Sequence, residues 1–318
     1  MHHPLRAHIC ATGSYIPPRQ VSNDDLSKQV DTSDAWIKQR TGIKTRFLVD
    51  PSQGVRGTVD MAQQAAQAAL NNSNIDPKSL DMIIVGTVTP DQRMPSAACL
   101  LQHRLGATRA SAFDVSAACC GSLYSLAIAN SFITQGTCKR ILVVGSETMS
   151  CLLDWSDRNT CVLFGDGAAA AILEPSNSPN GGFHQMKLYS DGSLHPLLHV
   201  KQGGKLQMQG QELYRAAVPT LVQAVEALLQ EADLQPQQIA RFIPHQANIR
   251  IIESIAKRLD VPMERFAINL DRFANTSSAS LLLAWDQTCQ ENQLQPGDWV
   301  LFWAIGAGLT WAAGLYRV

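Results

Sequence analysis

One pattern is written twice in this chain. Ala68-Ala69-Leu70, four residues and Ile75-Asp76-Pro77-Lys78-Ser79-Leu80-Asp81-Met82-Ile83-Ile84 match Ala227-Leu228-Leu229, four residues and Leu234-Gln235-Pro236-Gln237-Gln238-Ile239-Ala240-Arg241-Phe242-Ile243. Pro236 follows Pro77, and Ile239 follows Leu80, by the same 159 positions. Each segment reads as a helix, a turn broken by Pro and a buried strand. The likeness continues in kind: helix 96–105 with 248–259, strand 111–116 with 265–270, the helix after Cys119 with 277–288, and strand 140–146 with 298–305. A Gly-rich turn and a strand end each half, at 165–173 and 306–317. Strands alternating with helices predict sheets covered by helices. A unit this long is no solenoid repeat. It predicts two α/β halves, 1–174 and 175–318, facing each other as a pseudo-dimer.

Such a duplication brings corresponding strand ends together about a pseudo-twofold axis. Residues over a hundred apart then share one pocket, and three stand out. Cys119 lies in Ser116-Ala117-Ala118-Cys119-Cys120-Gly121, His245 in Pro244-His245-Gln246-Ala247-Asn248, and Asn275 in Asn275-Thr276-Ser277. Cysteine, histidine and asparagine at strand-to-turn junctions suit holding a thioester carbon as an adduct and steadying an enolate beside it. Phe113–Ser116 reads as a short buried strand and Gly121–Phe132 as a helix, with Leu123, Leu126, Ala127 and Ile133 as its apolar positions. Cys119 thus sits near a helix N-terminus, whose dipole favours a thiolate. An effect of up to about 2 kcal/mol would bring a thiol from about 8.5 to roughly 7. A neighbouring base must supply the rest, and His245 is the candidate. A lone cysteine after a strand is ordinarily an inert buried thiol, which is the reading for Cys10, Cys99, Cys138, Cys151, Cys161 and Cys289. A lone His245 would read as a core histidine at a strand end, and a lone Asn275 as a turn or helix cap.

Composition excludes several classes. With 318 residues, 45% hydrophobic and 17% charged, the chain has an ample core. Its net charge of −1 argues against bulk nucleic-acid binding. No apolar run reaches the roughly 20 residues that span a bilayer. The eight cysteines are irregularly spaced, and His2-His3-Pro4 reads as the lead-in to a strand rather than a signal peptide. Reduced thiols in a cytoplasm are the expectation. No metal is expected: Cys119-Cys120 is vicinal, and His195-Pro196-Leu197-Leu198-His199 has a Pro inside it and no Glu.

Further motifs give the set a family. Thr32-Ser33-Asp34-Ala35-Trp36-Ile37, two residues and Arg40-Thr41-Gly42-Ile43 open the series. Pro95-Ser96-Ala97-Ala98-Cys99, Phe164-Gly165-Asp166-Gly167-Ala168 and Ser190-Asp191-Gly192-Ser193 continue it. His245–Asn248, Asn275–Ser277 and the stretch from Gly306 to Trp311 complete it. In order and spacing, nearly end to end, the chain resembles the β-ketoacyl-acyl carrier protein synthase III family of condensing enzymes. The resemblance implies a thiolase-like fold, layered α-β-α-β-α, with the nucleophilic Cys in the first half and His and Asn in the second. It implies attack of Cys119 on an acyl-coenzyme A, with the tetrahedral oxyanion held by backbone amides of Cys119 and Ala307 in the Gly306–Gly308 loop. Malonyl-acyl carrier protein then loses carbon dioxide, its enolate held by a neutral His245 and by Asn275, and the carbanion releases Cys119. His245 is accordingly expected to titrate below free imidazole. No cofactor is implied; acyl-coenzyme A is a substrate. By the same resemblance Trp36 and Arg158 would sandwich the adenine and Arg40 would meet the phosphates. Met94, Phe164 and Ile305 would border the acyl pocket, Met94 from a loop reaching the partner of a homodimer. Arg250, Lys257 and Arg258 lie on the helix after His245, opposite Ile252, Ile255, Ala256 and Leu259. They would dock an acidic carrier protein.

The chain departs from the family at four places: Cys120 stands for a small residue, either a spectator or a site of oxidation; Ala274 stands for Gly and constrains its turn; Ile305, for the family's common Phe, and a short stretch from Ser193 to Met208 bear on acyl choice. Two other readings stand beside condensation. One is a specialised relative that condenses or transfers an unusual acyl group in secondary metabolism. The other is a non-catalytic partner subunit, against which the complete Cys, His, Asn set argues. A thiolase fits poorly, because Cys289 lies too early and outside the Gly306–Gly308 loop.

Overall fold

The structure, a computed structural model, describes residues 5–318 except 177, 179 and 293; the His2-His3-Pro4 opening lies outside the described residues. The strands of the two large sheets are β1 (Ala7–Tyr15), β2 (Met82–Gly86), β3 (Ser111–Val115), β4 (Ile141–Glu147), β5 (Gly167–Pro175), β6 (Gly182–Ser190), β7 (Ile239–Pro244), β8 (Trp299–Gly306) and β9 (Thr310–Arg317). The helices that matter for the site are α1 (Asp34–Thr41), α2 (Thr58–Ser73), α3 (Ala97–Leu105), α4 (Gly121–Thr134), α5 (Gly210–Glu231), α6 (Ile249–Leu259) and α7 (Ala279–Gln290).

The first sheet runs β1-β5-β4-β2-β3 and the second β6-β9-β8-β7. Taken in chain order within each half, the strands occupy the same sequence of positions. The counterpart of β3 is reduced to a bridge between Phe242 and Phe266. The expected strand at 265–270 is therefore corrected to a 3-10 turn, that bridge and a short helix from Leu270 to Phe273. The cause is a side chain. Gln246 Oε1 accepts from the amides of Asn269 and Leu270, and its Nε2 donates to the Ala267 carbonyl. Those backbone groups are satisfied without a ladder.

Packing produces five layers. α2 and α3 cover the outer face of the first sheet, and α5 and α6 cover that of the second. α4 and α7 lie between the sheets, touching both. α7 is buried over nearly all its length, from Ala279 to Asp286, as a helix enclosed on all sides must be. α6, on the outside, is two-faced: Ile252, Ile255, Ala256 and Leu259 are buried, as its spacing predicts. The strand expected to be buried before Cys119 is instead half-exposed along β3. β3 ends its sheet, and no strand pairs with its outer edge among the described residues.

Candidate active site

The nucleophile candidate stands on a forced turn. β3 gives way to a 3-10 turn, Ala118–Cys120, which runs straight into α4. Ala118 is left-handed at φ 47°, a strained conformation for a residue with a Cβ. Cys119 is held from two sides. A Cβ on Gly86 would sit 2.5 Å from the Gly121 carbonyl carbon, and one on Gly306 would sit 2.6 Å from the Cys119 amide nitrogen. Only glycine permits those approaches.

His245 continues the β7–β8 ladder, its amide donating to the Trp303 carbonyl at 2.8 Å. Its ring is 1% exposed, and Nδ1 lies 2.5 Å from Ser280 Oγ on the first turn of α7. Asn275 is fixed by a bridge to Phe164: its amide donates to the Leu163 carbonyl at 2.9 Å and its carbonyl accepts from Gly165 at 3.0 Å. Its Oδ1 accepts from the Ser277 amide at 2.8 Å. The amide oxygen is thereby occupied, leaving Nδ2 as the free donor. The turn demands left-handed backbone at Ala274 (φ 59°) and Ser277 (φ 51°), so Ala274 carries the constraint that a glycine would relieve.

Cys119, His245 and Asn275 line one cavity of about 880 Å³ with Phe164, Ile305 and Gly306. Trp36, Arg40 and Arg250 line it toward the surface. Trp36 is half-buried on α1, with the Arg158 guanidinium 5.3 Å and the Arg40 guanidinium 5.8 Å from its ring centre. Arg158 also donates to the Asp31 carbonyl at 2.9 Å. Arg250 donates to the Gln39 carbonyl across the α1–α6 junction. Lys257 is exposed further along α6, and Arg258 lines a separate groove with Glu226 and Asp233. Ala307 follows Gly306 on the loop against Cys119, and its carbonyl accepts from Thr310 Oγ1. Met94 lies outside the cavity lining and is 83% exposed.

The electrostatics correct one expectation. Burial pushes the Cys119 thiol up to about 12, opposed by the nearby Ser277 side chain and reinforced by the negative charge of Glu147. Burial pushes His245 down to about 3, as a neutral donor requires. Desolvation outweighs the helix N-terminus, so the resting pair is thiol and neutral imidazole, not thiolate at pH 7 with His245 as its base. The sign gives a prediction. Below the thiol's pKa the reactive thiolate grows about tenfold per pH unit. Iodoacetamide labelling of Cys119, followed by mass, should rise with that slope from pH 7 to pH 10 without a break at imidazole's usual pKa. A plateau beginning near pH 7 would contradict it.

Glu147 was not anticipated. It closes β4, fully buried, and its Oε2 accepts from Thr87 Oγ1, Thr89 Oγ1 and the amides of Val88 and Thr89. Its Oε1 accepts from Ser277 Oγ at 3.0 Å. It ties the end of β2 to the Asn275 turn. The available signal was an acid ending an otherwise apolar strand, Ile141-Leu142-Val143-Val144-Gly145-Ser146-Glu147. The N-terminus of α5 was also missed as part of the cavity wall, from Gly210 to Arg215.

Known proteins match this architecture. The model of 3-oxoacyl-[acyl-carrier-protein (ACP)] synthase III matches residues 113–192, and that of its C terminal matches 229–318. A curated relative, beta-ketoacyl-[acyl-carrier-protein] synthase III of Caldanaerobacter subterraneus subsp. tengcongensis, is 44% identical, the match covering 98% of each chain. The crystal structure of 3-oxoacyl-[acyl-carrier-protein] synthase III from Aquifex aeolicus VF5 superposes with a TM-score of 0.95 at 43% identity, covering 98% of this chain and 100% of that one. The priming beta-ketosynthase of the R1128 polyketide biosynthetic pathway superposes at 0.92 with 33% identity, covering 100% and 98%. With full-length identity, matching family models and a common layered fold, the chain belongs to the 3-oxoacyl-[acyl-carrier-protein] synthase III family.

Proposed function

We propose that the chain performs a decarboxylative Claisen condensation of an acyl-coenzyme A starter with malonyl-acyl carrier protein, the initiating step of fatty acid synthesis. Cys119 carries the acyl group. Backbone amides of Cys119 and Ala307 hold its oxyanion, and His245 and Asn275 hold the enolate formed when carbon dioxide leaves. One observation carries this reading: the three side chains, drawn from both halves 1–174 and 175–318, line one cavity, and the Asn275 oxygen is tied back so that its amide nitrogen is free to donate. The first experiment is intact-protein mass after mixing with a panel of acyl-coenzyme A thioesters, followed by malonyl-acyl carrier protein. An acyl adduct discharged with carbon dioxide and a β-ketoacyl product is expected; no adduct at all sinks the reading.

The surface supports the remaining roles. Coenzyme A would enter past Trp36, Arg40 and Arg158, its adenine parting the Arg158–Trp36 contact. Trp36→Ala should raise KM for acyl-coenzyme A by about 10- to 100-fold, since stacking on a base is worth about 1–3 kcal/mol, while kcat stays within about twofold. Equal loss in kcat would refute a role confined to binding. An acidic carrier protein would dock on Arg250, Lys257 and Arg258. A homodimer fits the unpaired edge of β3 and the exposed Met94. No described helix is long and apolar enough to cross a membrane, and a cytoplasmic site of action accords with the free cysteines. Ile305 favours a second reading, a specialised synthase or acyltransferase taking an unusual acyl group. It lines the cavity at 5% exposure, where the family commonly has Phe. Discharge of the adduct without carbon dioxide would select the acyltransferase.

A further inference from the structure

We propose that Ser280 is the positioning residue that fixes His245 as the Nε2–H tautomer, so that the ring is a donor toward the cavity and not the base for Cys119. The inference deepens the condensation reading and rests on it for its purpose, though not for its geometry. Ser280 sits on the first turn of α7, 1% exposed, with Oγ 2.5 Å from His245 Nδ1. The same Oγ accepts from the Gln246 amide at 3.2 Å. An amide can only donate, so Oγ is an acceptor there. The question is where the hydroxyl proton goes.

Serines and threonines in helices commonly turn the hydroxyl back to a carbonyl one turn earlier. Thr288 on the same helix does so, donating to Ala284 at 2.8 Å, and Ser125 on α4 donates to Gly121 at 2.8 Å. Ser280 makes no such bond among the described residues; Nδ1 is the acceptor within its reach. Nδ1 must then be unprotonated, and a neutral ring carries its one proton on Nε2. The opposite tautomer would aim Nδ1–H at Oγ and strand the hydroxyl proton in a buried place without an acceptor, a costly arrangement. An imidazolium would do the same. Burial independently keeps the ring neutral.

The chemical consequence is a division of labour. Ser280 does not line the cavity, whereas His245 does. The Nδ1 edge is therefore turned into the protein, and Nε2 is left to serve the cavity. Nε2–H can donate to the oxygen of an enolate as the carbon–carboxylate bond breaks. It has no lone pair with which to take the thiol proton of Cys119. Asn275 is prepared in the same manner, its oxygen held by the Ser277 amide. Both donors are thus oriented by the first turns around α7.

Nitrogen NMR on full-length protein labelled in its eight histidines tests this, with the His245 signals assigned by their absence in His245→Ala. Wild type should show Nε2 protonated and Nδ1 not, at pH 7 and without substrate. Ser280→Ala should show a mixture of tautomers. It should also slow decarboxylation of malonyl-acyl carrier protein by about 10- to 100-fold, with acyl loading of Cys119 within about twofold. A wild-type ring protonated on Nδ1 overturns the proposal, whether or not the variant folds. Equal slowing of loading and decarboxylation overturns it too, since a general loosening of α7 would do that. A wild-type Nε2–H ring in a protein that never decarboxylates malonyl thioesters upholds the tautomer and sinks the reading of function instead.

Discussion

Cys119→Ala should abolish the acyl adduct and lower condensation by at least about 10⁴-fold, the scale on which loss of a nucleophile registers in covalent catalysis. The substitution is a clean one. It removes a single sulfur and leaves the Ala118–Cys120 turn, the Gly86–Gly121 approach and the Gly306 approach in place. Its neighbour cannot substitute. Cys120 is fully buried, its Sγ donates to the Thr310 carbonyl at 3.3 Å, and burial pushes its thiol further up. It does not line the cavity. The variant should keep part of its ability to decarboxylate malonyl-acyl carrier protein, because in the proposed mechanism His245 and Asn275 act on the malonyl group and not on the acyl group. Intact mass reads the first effect, and carbon dioxide release without acyl-coenzyme A reads the second. An acyl adduct surviving on the variant would place the nucleophile elsewhere.

Much of this was legible in the sequence because a duplicated chain advertises its own topology. The repeated helix–Pro–strand segment became β2 and β7, which pair in parallel with corresponding strands of their own halves, β4 and β8. The Cys and His segments could be read because each is a polar group just past a strand, and the Asn segment because its polar turn follows an apolar stretch, which the structure makes a short helix. What was not legible depends on contacts between distant segments. The strand expected at 265–270 fails because Gln246, 21 to 24 residues from its partners by chain but adjacent in space, satisfies that backbone with its own amide. The exposure of β3 follows from its place at the sheet's end, which strand patterning does not reveal. The acidity of Cys119 was misjudged because a helix N-terminus can be read from sequence, whereas the dryness of the cavity floor cannot. Glu147 was missed because its five hydrogen-bond donors come from Thr87 to Thr89 and from Ser277. No local pattern joins them.

Asn275→Asp should load the acyl group normally and lose about 10²- to 10³-fold in decarboxylation, in line with the roughly 2.7–4 kcal/mol measured for one oxyanion donor. Aspartate has the same shape. Its Oδ1 can still accept from the Ser277 amide, so the turn between Ala274 and Ser277 keeps its bond. The change is confined to the other atom: Nδ2, a donor, becomes an oxygen that can only accept when ionised. In place of a hydrogen bond the enolate meets a negative charge beside buried side chains, where like charges repel more strongly than in water. Asn275→Ala is the less informative variant, because it also strands the buried Ser277 amide and disturbs a turn with two left-handed residues that carry a Cβ. His245→Ala should fall in the same range as Asn275→Asp. If the two donors act on one oxygen, as proposed, the double variant should lose less than the product of the single losses. Rapid-quench mass on pre-acylated protein separates the steps. A fall in acyl loading matching the fall in decarboxylation would show that Asn275 shapes the Cys119 pocket as a whole, and the assignment of Nδ2 to the enolate would fail.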